Sequence, residues 1–337
     1  MTNRRGAGWR LAAAAAAGVA AIAAGAISAT KEPESVRPVH LPGIADVLSM
    51  GADPTGQQDS SPAFERALAA KDVAKLVIPC GQYRLASTVT VPYGKTLEGF
   101  GACSRIDPDG GIVALKLTGS TGGGSITTLR DFRIWQVNQH PDNVGILIDG
   151  GQTGMENWVL ERLSVLGSGV TGEGKHAGTG VRSSYGLTGT IRDSVIQWWD
   201  TGVDFQPVPV AAGGLYPNAN LITGSKIRVN RIGLRLVVQT GFLIGNTIEG
   251  NLHGIVSETD SRLVLAVLAN HFENIGKGGT DLQHRAGRLA SVGNTYVGVV
   301  EQPTVVIGNT VDASSLGDVL AFGAAGAPQK LRKFGSW

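Results

Sequence analysis

Aromatic side chains, cysteines and surplus charge are all scarce in this chain of 337 residues. Aromatics make up 6% of the sequence against 49 glycines, a balance that predicts many tight turns and thin strands. The formal charge is +2, but without Arg4, Arg5 and Arg10 of the N-terminal segment, 26 basic residues face 27 acidic ones. A near-neutral body lacks the basic face that nucleic acid usually requires, which argues against nucleic acid as the main partner.

The N-terminal segment has the layout of a secretory signal peptide over residues 1–29. Residues 11–29 carry no charge, follow the arginines and end in small residues suited to cleavage. The Arg4-Arg5 pair is also a feature of twin-arginine export. The alternative is an uncleaved anchor, which would be the chain's one contact with a membrane. Either route predicts a secreted or periplasmic protein.

Asn246, Asn270 and Asn294 recur every 24 residues, and each opens a similar phrase. A fixed period of this length is the signature of a solenoid, in which each unit stacks on the next. The units are short and rich in glycine, valine, isoleucine and threonine, so each is expected to be a coil of strands and turns. We expect the asparagines to form a hydrogen-bonded ladder at one turn, because asparagine tolerates left-handed backbone.

The same stacking affects two further pairs. Cys80 and Cys103 are 23 residues apart, close to one coil, so their separation suits a disulfide. Two buried free thiols are the alternative. Glu249 and Glu273 should stack as a like-charge pair, which a cation or Arg228 would have to neutralise.

Residues 30–43 are polar and contain prolines, which indicates a linker. Residues 63–70 then have helical spacing, with Phe64, Ala67 and Leu68 on one face. We expect this helix to cover the open end of the solenoid core.

Three motifs resemble the N-terminal region of the pectate-lyase-like superfamily. They are Gly51-Ala52-Asp53-x-x-Gly56-x-x-Asp59, Ile78-Pro79-x-Gly81-x-Tyr83 and Leu97-x-Gly99-x-Gly101. The resemblance implies an all-β fold, a single-stranded right-handed parallel β-helix, which we expect over residues 44–310 with a C-terminal cap and tail over 311–337. The superfamily includes lyases, polygalacturonases, rhamnogalacturonases, epimerases and phage tailspikes, so the signature specifies the fold and leaves the reaction open.

A glycine followed by an apolar strand also recurs. The copies begin at Gly145, Gly180, Gly202, Gly233 and Gly254, with a degenerate copy at Gly279. Longer spacings predict inserted loops at 167–178 and 207–219, which would wall a binding groove.

Alternation along these strands predicts two outward columns. The first contains Leu147, Arg182, Asp204, Arg235, Val256 and Asp281. The second contains Asp149, Ser184, Gln206, Val237, Glu258 and Gln283. Stacked about 5 Å apart, Arg182, Asp204 and Arg235 would form an alternating charge ladder.

One interpretation of this face is catalytic. Asp204, Asp200 and Glu258 would serve as acid or base, while Arg182 and Arg235 hold an acidic sugar in bidentate forks. Asp200 and Asp204 would form a carboxylate pair in which one pKa is raised. Replacement of Asp204 by asparagine would then abolish activity with little effect on unfolding. The alternative is a surface ion-pair ladder without chemistry.

Two further side chains are candidates for substrate binding. Adjacent tryptophans in a strand point to opposite faces, and Trp199 is assigned as the exposed platform for a sugar ring. The alternative is that Trp198 and Trp199 both pack under the loop at 207–219. His253 is either a contact to substrate or a hydrogen-bonded turn residue.

No cofactor is expected, and calcium is the one candidate metal. Pectate lyases bind it through clustered aspartates, and here only Asp200 and Asp204 come close together. The segments typical of polygalacturonases occur incompletely and out of order around Lys226, Asn246 and His253, so that mechanism is not supported.

The sequence therefore predicts an exported protein that binds and cleaves an acidic polysaccharide, as a lyase or a glycoside hydrolase. The alternatives are a non-catalytic extracellular glycan-binding module, an epimerase, or an accessory protein of exopolysaccharide export. The resemblance to tailspikes adds a homotrimer as an alternative to a monomer.

Overall fold

The computed structural model describes residues 42–119, 122–169, 176–210, 213–259, 263–273, 279–298, 305–316 and 319–322. All of them belong to one compact unit. The predicted signal peptide and most of the linker lie outside these residues. Within the described ranges, no helix is both long and apolar enough to cross a membrane.

Short strands dominate the chain. The first are β1 (Ile44–Asp46), β2 (Thr55–Asp59), β3 (Lys75–Ile78), β4 (Gly81–Leu85), β5 (Val89–Pro92), β6 (Thr96–Gly99), β7 (Ser104–Pro108), β8 (Val113–Thr118), β9 (Thr127–Arg130), β10 (Arg133–Trp135), β11 (Val144–Asp149), β12 (Met155–Glu156), β13 (Trp158–Glu161), β14 (Ser164–Leu166), β15 (Thr179–Ser184), β16 (Gly186–Leu187) and β17 (Thr190–Arg192). The rest are β18 (Val195–Gln197), β19 (Thr201–Gln206), β20 (Val208–Val210), β21 (Gly213–Leu215), β22 (Asn218–Thr223), β23 (Lys226–Arg228), β24 (Ile232–Val238), β25 (Thr240–Ile244), β26 (Thr247–Glu249), β27 (His253–Thr259), β28 (Val264–Leu268), β29 (His271–Glu273), β30 (Thr280–Val292), β31 (Thr295–Gly298), β32 (Val305–Leu316) and β33 (Val319–Phe322). Helix α1 (Ser61–Ala69) and a 3-10 helix (Gly101–Cys103) complete the elements.

Each coil contributes strands to three sides of a solenoid. Side 1 contains β1, β3, β6, β9, β13, β17, β22, β25 and β28. Side 2 is a separate sheet of 11 strands, one per coil: β2, β4, β7, β10, β14, β18, β23, β26, β29, β31 and β33. Side 3 contains β5, β8, β11, β15, β19, β24 and β27, and the long strands β30 and β32 run from side 3 into side 1. Pairing between coils is parallel, which confirms the predicted all-β parallel β-helix.

The glycine-led strands are those of side 3, and they alternate as predicted. Val181, Val203 and Leu234 point into the core and are 0% exposed. The leading glycines are required because neighbouring coils approach closely. A Cβ added to Gly180 would lie 2.6 Å from the carbonyl oxygen of Gly202, nearer than real contacts allow. Backbone therefore fills the space that a side chain would need.

The asparagine ladder is confirmed at the turn between sides 1 and 2. The backbone N–H of Asn246 donates to Oδ1 of Asn270 at 2.9 Å, and that of Asn270 donates to Oδ1 of Asn294 at 2.8 Å. Ser225 and Ser194 extend the ladder in preceding coils. The predicted reason is wrong, however, because the left-handed residues are those just before the asparagines. They are Gly245 (φ 65), Ala269 (φ 53) and Gly293 (φ 66).

A second ladder at the turn between sides 2 and 3 was not predicted. The backbone N–H of Trp199 donates to Oδ1 of Asn230, and that of Asn230 donates to Oδ1 of Asn251, both at 3.0 Å. Val229 and Gly250 precede the asparagines with φ 53 and 65. Both turns therefore use a left-handed residue followed by a buried polar side chain that bonds the coil before it.

The N-terminal predictions can be compared directly with the described residues. Cys80 and Cys103 form the disulfide, with Cα atoms 4.7 Å apart, so the free-thiol alternative is wrong. Helix α1 forms and buries Phe64, Ala67 and Leu68.

Two predictions about the C-terminal coils need correction. Thr280 pairs with His253 and Leu282 with Ile255, so Asp281 takes the glycine position and is buried. Gln283 continues the first outward column in its place, which a one-glycine alignment could not show. The repeat also does not fade at residue 310, because β32 and β33 continue the sheets to Phe322.

The remaining register predictions are confirmed. Glu249 and Glu273 are paired neighbours on side 2, and the Arg228 guanidinium lies 3.4 Å from Glu249. The expected insertion at 207–219 contains an antiparallel hairpin of β20 and β21. Residues 170–175 of the other expected loop lie outside the described residues.

Candidate functional site

Arg182, Asp204 and Arg235 form a ladder across β15, β19 and β24, as predicted; we call these three residues the arginine ladder. Both guanidinium nitrogens Nε and Nη2 of Arg235 donate to Asp204, at 2.8 and 2.5 Å. Nε of Arg182 lies 3.6 Å from the same carboxylate. Gln206 donates a further hydrogen bond to Asp204 at 2.8 Å.

Burial divides the ladder into an inner anion and two outer cations. The Asp204 side chain is 2% exposed, whereas those of Arg182 and Arg235 are 38% and 43% exposed. The catalytic assignment of Asp204 therefore needs correction, since an enclosed carboxylate already bound by three side chains cannot reach a substrate. Its effect is to hold two arginines in place, and hydrogen bonding to Asp204 raises the pKa of Arg235 further above its ordinary value.

Asp200 forms a separate ion pair at the entrance to β19. Arg231 grips it in a bidentate fork at 2.5 and 2.8 Å. Burial acts to raise the pKa of Asp200, but the hydrogen bonds and charge of Arg231 outweigh it, and the net pKa is lowered. The raised pKa predicted for a carboxylate pair is thus wrong for Asp200. Its side chain remains 34% exposed and ionised.

Two histidines flank this ion pair, and one of them was not predicted. Burial lowers the pKa of His176, while a hydrogen bond to the Trp198 backbone and the charge of Asp200 oppose the effect. Nδ1 of His176 is buried without a hydrogen-bond partner among the described residues. The signal that could have found His176 is its position in a predicted insertion beside the glycine-led strands.

His253 lies on the other side of Arg231. Its Nδ1 is 3.2 Å from the hydroxyl of Thr280. Burial lowers its pKa, and the charges of Arg231 and Arg285 lower it further. Both imidazoles are therefore neutral at neutral pH, the state in which a histidine can accept a proton.

Trp199 is fully buried, so its assignment as a sugar platform is wrong. Its indole N–H donates to the carbonyl of Val165 at 3.0 Å. Trp198 adopts φ 70 in the turn between β18 and β19, so the alternation of a strand does not apply. Trp198 is the half-exposed member of the pair.

Glu258 lies half-buried on β27, next to Val237 of the preceding coil. Among the described residues it has no hydrogen bond or ion pair. Its column is separate from that of Asp204, so the three predicted carboxylates do not converge on one point.

The described residues contain no group of three or more histidine, cysteine, aspartate or glutamate side chains placed to hold a metal ion. Asp200 and Asp204 are each bound by arginine, so calcium would have to displace Arg231 and Arg235. The donor set does not fit a calcium site.

No family model and no curated protein matches the sequence. Solved structures do match the fold. The A-module of a mannuronan C-5 epimerase from Azotobacter vinelandii superposes with a TM-score of 0.61 at 15% identity, covering 83% of this chain and 88% of that one. The enzymatically active domain of tailspike protein 2 from bacteriophage CBA120 has a TM-score of 0.61 at 11% identity, covering 84% of this chain and 43% of its own. The catalytic unit of a GH87 α-1,3-glucanase from Streptomyces thermodiastaticus has a TM-score of 0.58 at 17% identity, covering 83% and 55%.

These likenesses define the class of the fold. The chain is a right-handed parallel β-helix, and its resemblance to the pectate-lyase-like superfamily is confirmed at that level. It spans less than two thirds of the tailspike and glucanase chains.

Proposed function

We propose that the outer surface of side 3 around the arginine ladder binds an acidic polysaccharide outside the cytoplasm. The observation that carries the proposal is the ladder itself. Two part-exposed guanidinium groups are fixed over one enclosed carboxylate, which leaves the outer surface with a net positive charge. Guanidinium groups prefer planar anions such as the carboxylate of a uronic acid.

The structural neighbours support a carbohydrate ligand. Their titles name an epimerase of mannuronan, a glucanase and a phage tailspike. The disulfide between Cys80 and Cys103 supports export, because disulfides persist in oxidising compartments.

The charges favour proton abstraction over hydrolysis if the face is catalytic. Hydrolysis by the common route needs two free carboxylates, and Asp200 and Asp204 are both bound by arginine. A uronate held by arginine would have a more acidic proton next to its carboxylate, since the cation stabilises the developing charge. A neutral imidazole, His176 or His253, could accept that proton. Lyases and epimerases share this first step, so we propose one of these two reactions.

The test is a panel of polygalacturonate, alginate, a sulfated polysaccharide and a neutral glucan. Binding is measured by affinity electrophoresis, cleavage by ultraviolet absorbance of unsaturated ends, hydrolysis by reducing ends, and epimerisation by incorporation of solvent deuterium at C5. We expect binding to a uronate polymer but not to the neutral glucan. Unsaturated ends would identify a lyase, deuterium without cleavage an epimerase, and binding without product the non-catalytic module. Failure to bind any acidic polymer would overturn the proposal.

A further inference from the structure

Stacked charges on the outer faces of this solenoid generally alternate in sign. On side 1, Glu98, Arg130, Glu161 and Arg192 occupy one column in successive coils. Arg130 pairs with Glu98 at 2.8 Å and Arg192 with Glu161 at 3.2 Å. The arginine ladder on side 3 follows the same rule. Alternation is expected, because like charges one coil apart repel each other.

Side 2 breaks the rule at one pair of arginines. Arg105 of β7 and Arg133 of β10 are direct neighbours in the sheet. Arg105 has a counter-ion in Asp107, whose Oδ1 lies 2.6 Å from its Nε. Arg133 forms no ion pair or hydrogen bond with any described residue, and its Nε is buried without a partner. One positive charge is therefore left uncompensated beside another.

An aromatic ring lies beside both cations. The guanidinium carbon of Arg105 is 4.3 Å from the centroid of the Trp135 ring, and that of Arg133 is 5.8 Å away. Trp135 is half-exposed, and Val137 beyond it is 51% exposed. The surface thus combines an indole, an apolar neighbour and a net positive charge.

We propose that Arg105, Arg133 and Trp135 form a second binding site, for an anionic saccharide unit bearing a carboxylate or sulfate. The acidic group would take the free donors of Arg133 and relieve its repulsion with Arg105, while the sugar ring packs against the indole. The site lies on side 2 and shares no residue with the arginine ladder. A polymer could therefore be held at two places on the solenoid, which would raise its overall affinity.

The experiment compares Arg133→Gln with Lys226→Gln. Lys226 occupies the same outward column of side 2 and carries the same charge, but no aromatic ring contacts it. The readout is the indole N–H resonance of Trp135, assigned by its loss in Trp135→Phe, during titration with tetragalacturonate and with an alginate tetrasaccharide. We expect saturable shifts in the wild type and in Lys226→Gln, and roughly tenfold weaker binding in Arg133→Gln. Arg133→Gln should not lower the unfolding midpoint, since it removes a like-charge contact.

Three results would overturn the inference: no shift with either uronate, equal affinity in both variants, or equal shifts with inorganic sulfate alone, which would mean a simple anion site. Maltotetraose, which is neutral, should give no shift. The Arg182→Gln variant separates this inference from the proposed function. It should weaken binding at the arginine ladder and leave the Trp135 response unchanged, so either site can fail while the other stands.

Discussion

Asp204 determines how the arginine ladder can work, because it supplies the negative charge that keeps Arg182 and Arg235 together. The residue was predicted to be outward-facing, which is correct for its backbone position. Its burial could not be predicted, since the side chains that cover it come from coils 22 and 31 residues away in sequence. Which side chain ends up on top depends on lengths and rotamers that the alternation rule does not contain.

Replacement of Asp204 by asparagine should therefore destabilise the fold, contrary to the expectation drawn from sequence. The change leaves two arginines adjacent without a counter-ion, and breaking a buried pair in this way costs about 1–3 kcal/mol after allowance for the exposure of the arginines. Urea denaturation measures the effect. Asp142→Asn is the control, because that side chain is 78% exposed. Equal midpoints for the two variants would show that Asp204 does not organise the ladder.

The tryptophan pair shows a second limit at this scale. One buried and one exposed ring were expected, and that much is correct. The assignment was reversed because Trp198 and Trp199 lie in a turn, where the left-handed residue 198 redirects the chain. Nothing in two adjacent tryptophans signals a turn.

The turns between strands hold the coils together, and the asparagine ladder is the clearest example. The first ladder was visible in sequence because its three asparagines keep one spacing of 24 residues. The second was missed because Asn230 and Asn251 are 21 residues apart and Trp199 takes the preceding place. Ladder positions can thus be found from sequence only where consecutive coils have equal length.

Asn270→Ala should lower the free energy of unfolding by about 2–4 kcal/mol, because it leaves several buried groups unpaired. Asn270 accepts from the backbone and side-chain amide of Asn246 and donates to Leu243 and Asn294. Thermal or urea unfolding measures the loss. The exposed Asn138, changed to alanine, should have almost no effect. A loss below the Asn138 control would show that the ladder is incidental to stability.

The inner column of side 3 contains a buried histidine near the C-terminal coils. His284 is 0% exposed, and its Nδ1 lies 2.9 Å from the hydroxyl of Ser257. Burial lowers its pKa to about 4 from an ordinary value of 6.5. The unfolded chain therefore takes up a proton below pH 6.5 that the folded chain refuses until about pH 4.

Stability should fall between these two pH values by up to about 3 kcal/mol on account of His284. The slope is measured as the urea midpoint at each pH. His284→Gln removes the titrating group and should flatten this part of the profile relative to the wild type. Carboxylates with lowered pKa values act mainly at more acidic pH, so the window is separate. Parallel profiles for the two proteins would contradict the assignment.

For the molecule as a whole, the fold was predictable and the site only in part. A repeated glycine-led strand and an asparagine period specify stacking, and stacking specifies a parallel solenoid. The arginine ladder followed from that register. The Asp200–Arg231 pair and His176 did not, because they lie in turns and insertions of variable length. The Arg105–Arg133 contact was missed because the strands of side 2 are short and lack a leading glycine.

The central claim is that acidic polysaccharide binds through the arginines of side 3. It is tested most directly by the dissociation constant of Arg182→Gln for the polymer that the panel identifies. Arg182→Gln leaves Asp204 paired with Arg235, so the fold is retained. Arg228→Gln is the matched control, since Arg228 is 41% exposed and ion-paired on side 2. We predict binding about tenfold weaker for Arg182→Gln and little changed for Arg228→Gln. Equal affinities for both variants and the wild type would contradict the account.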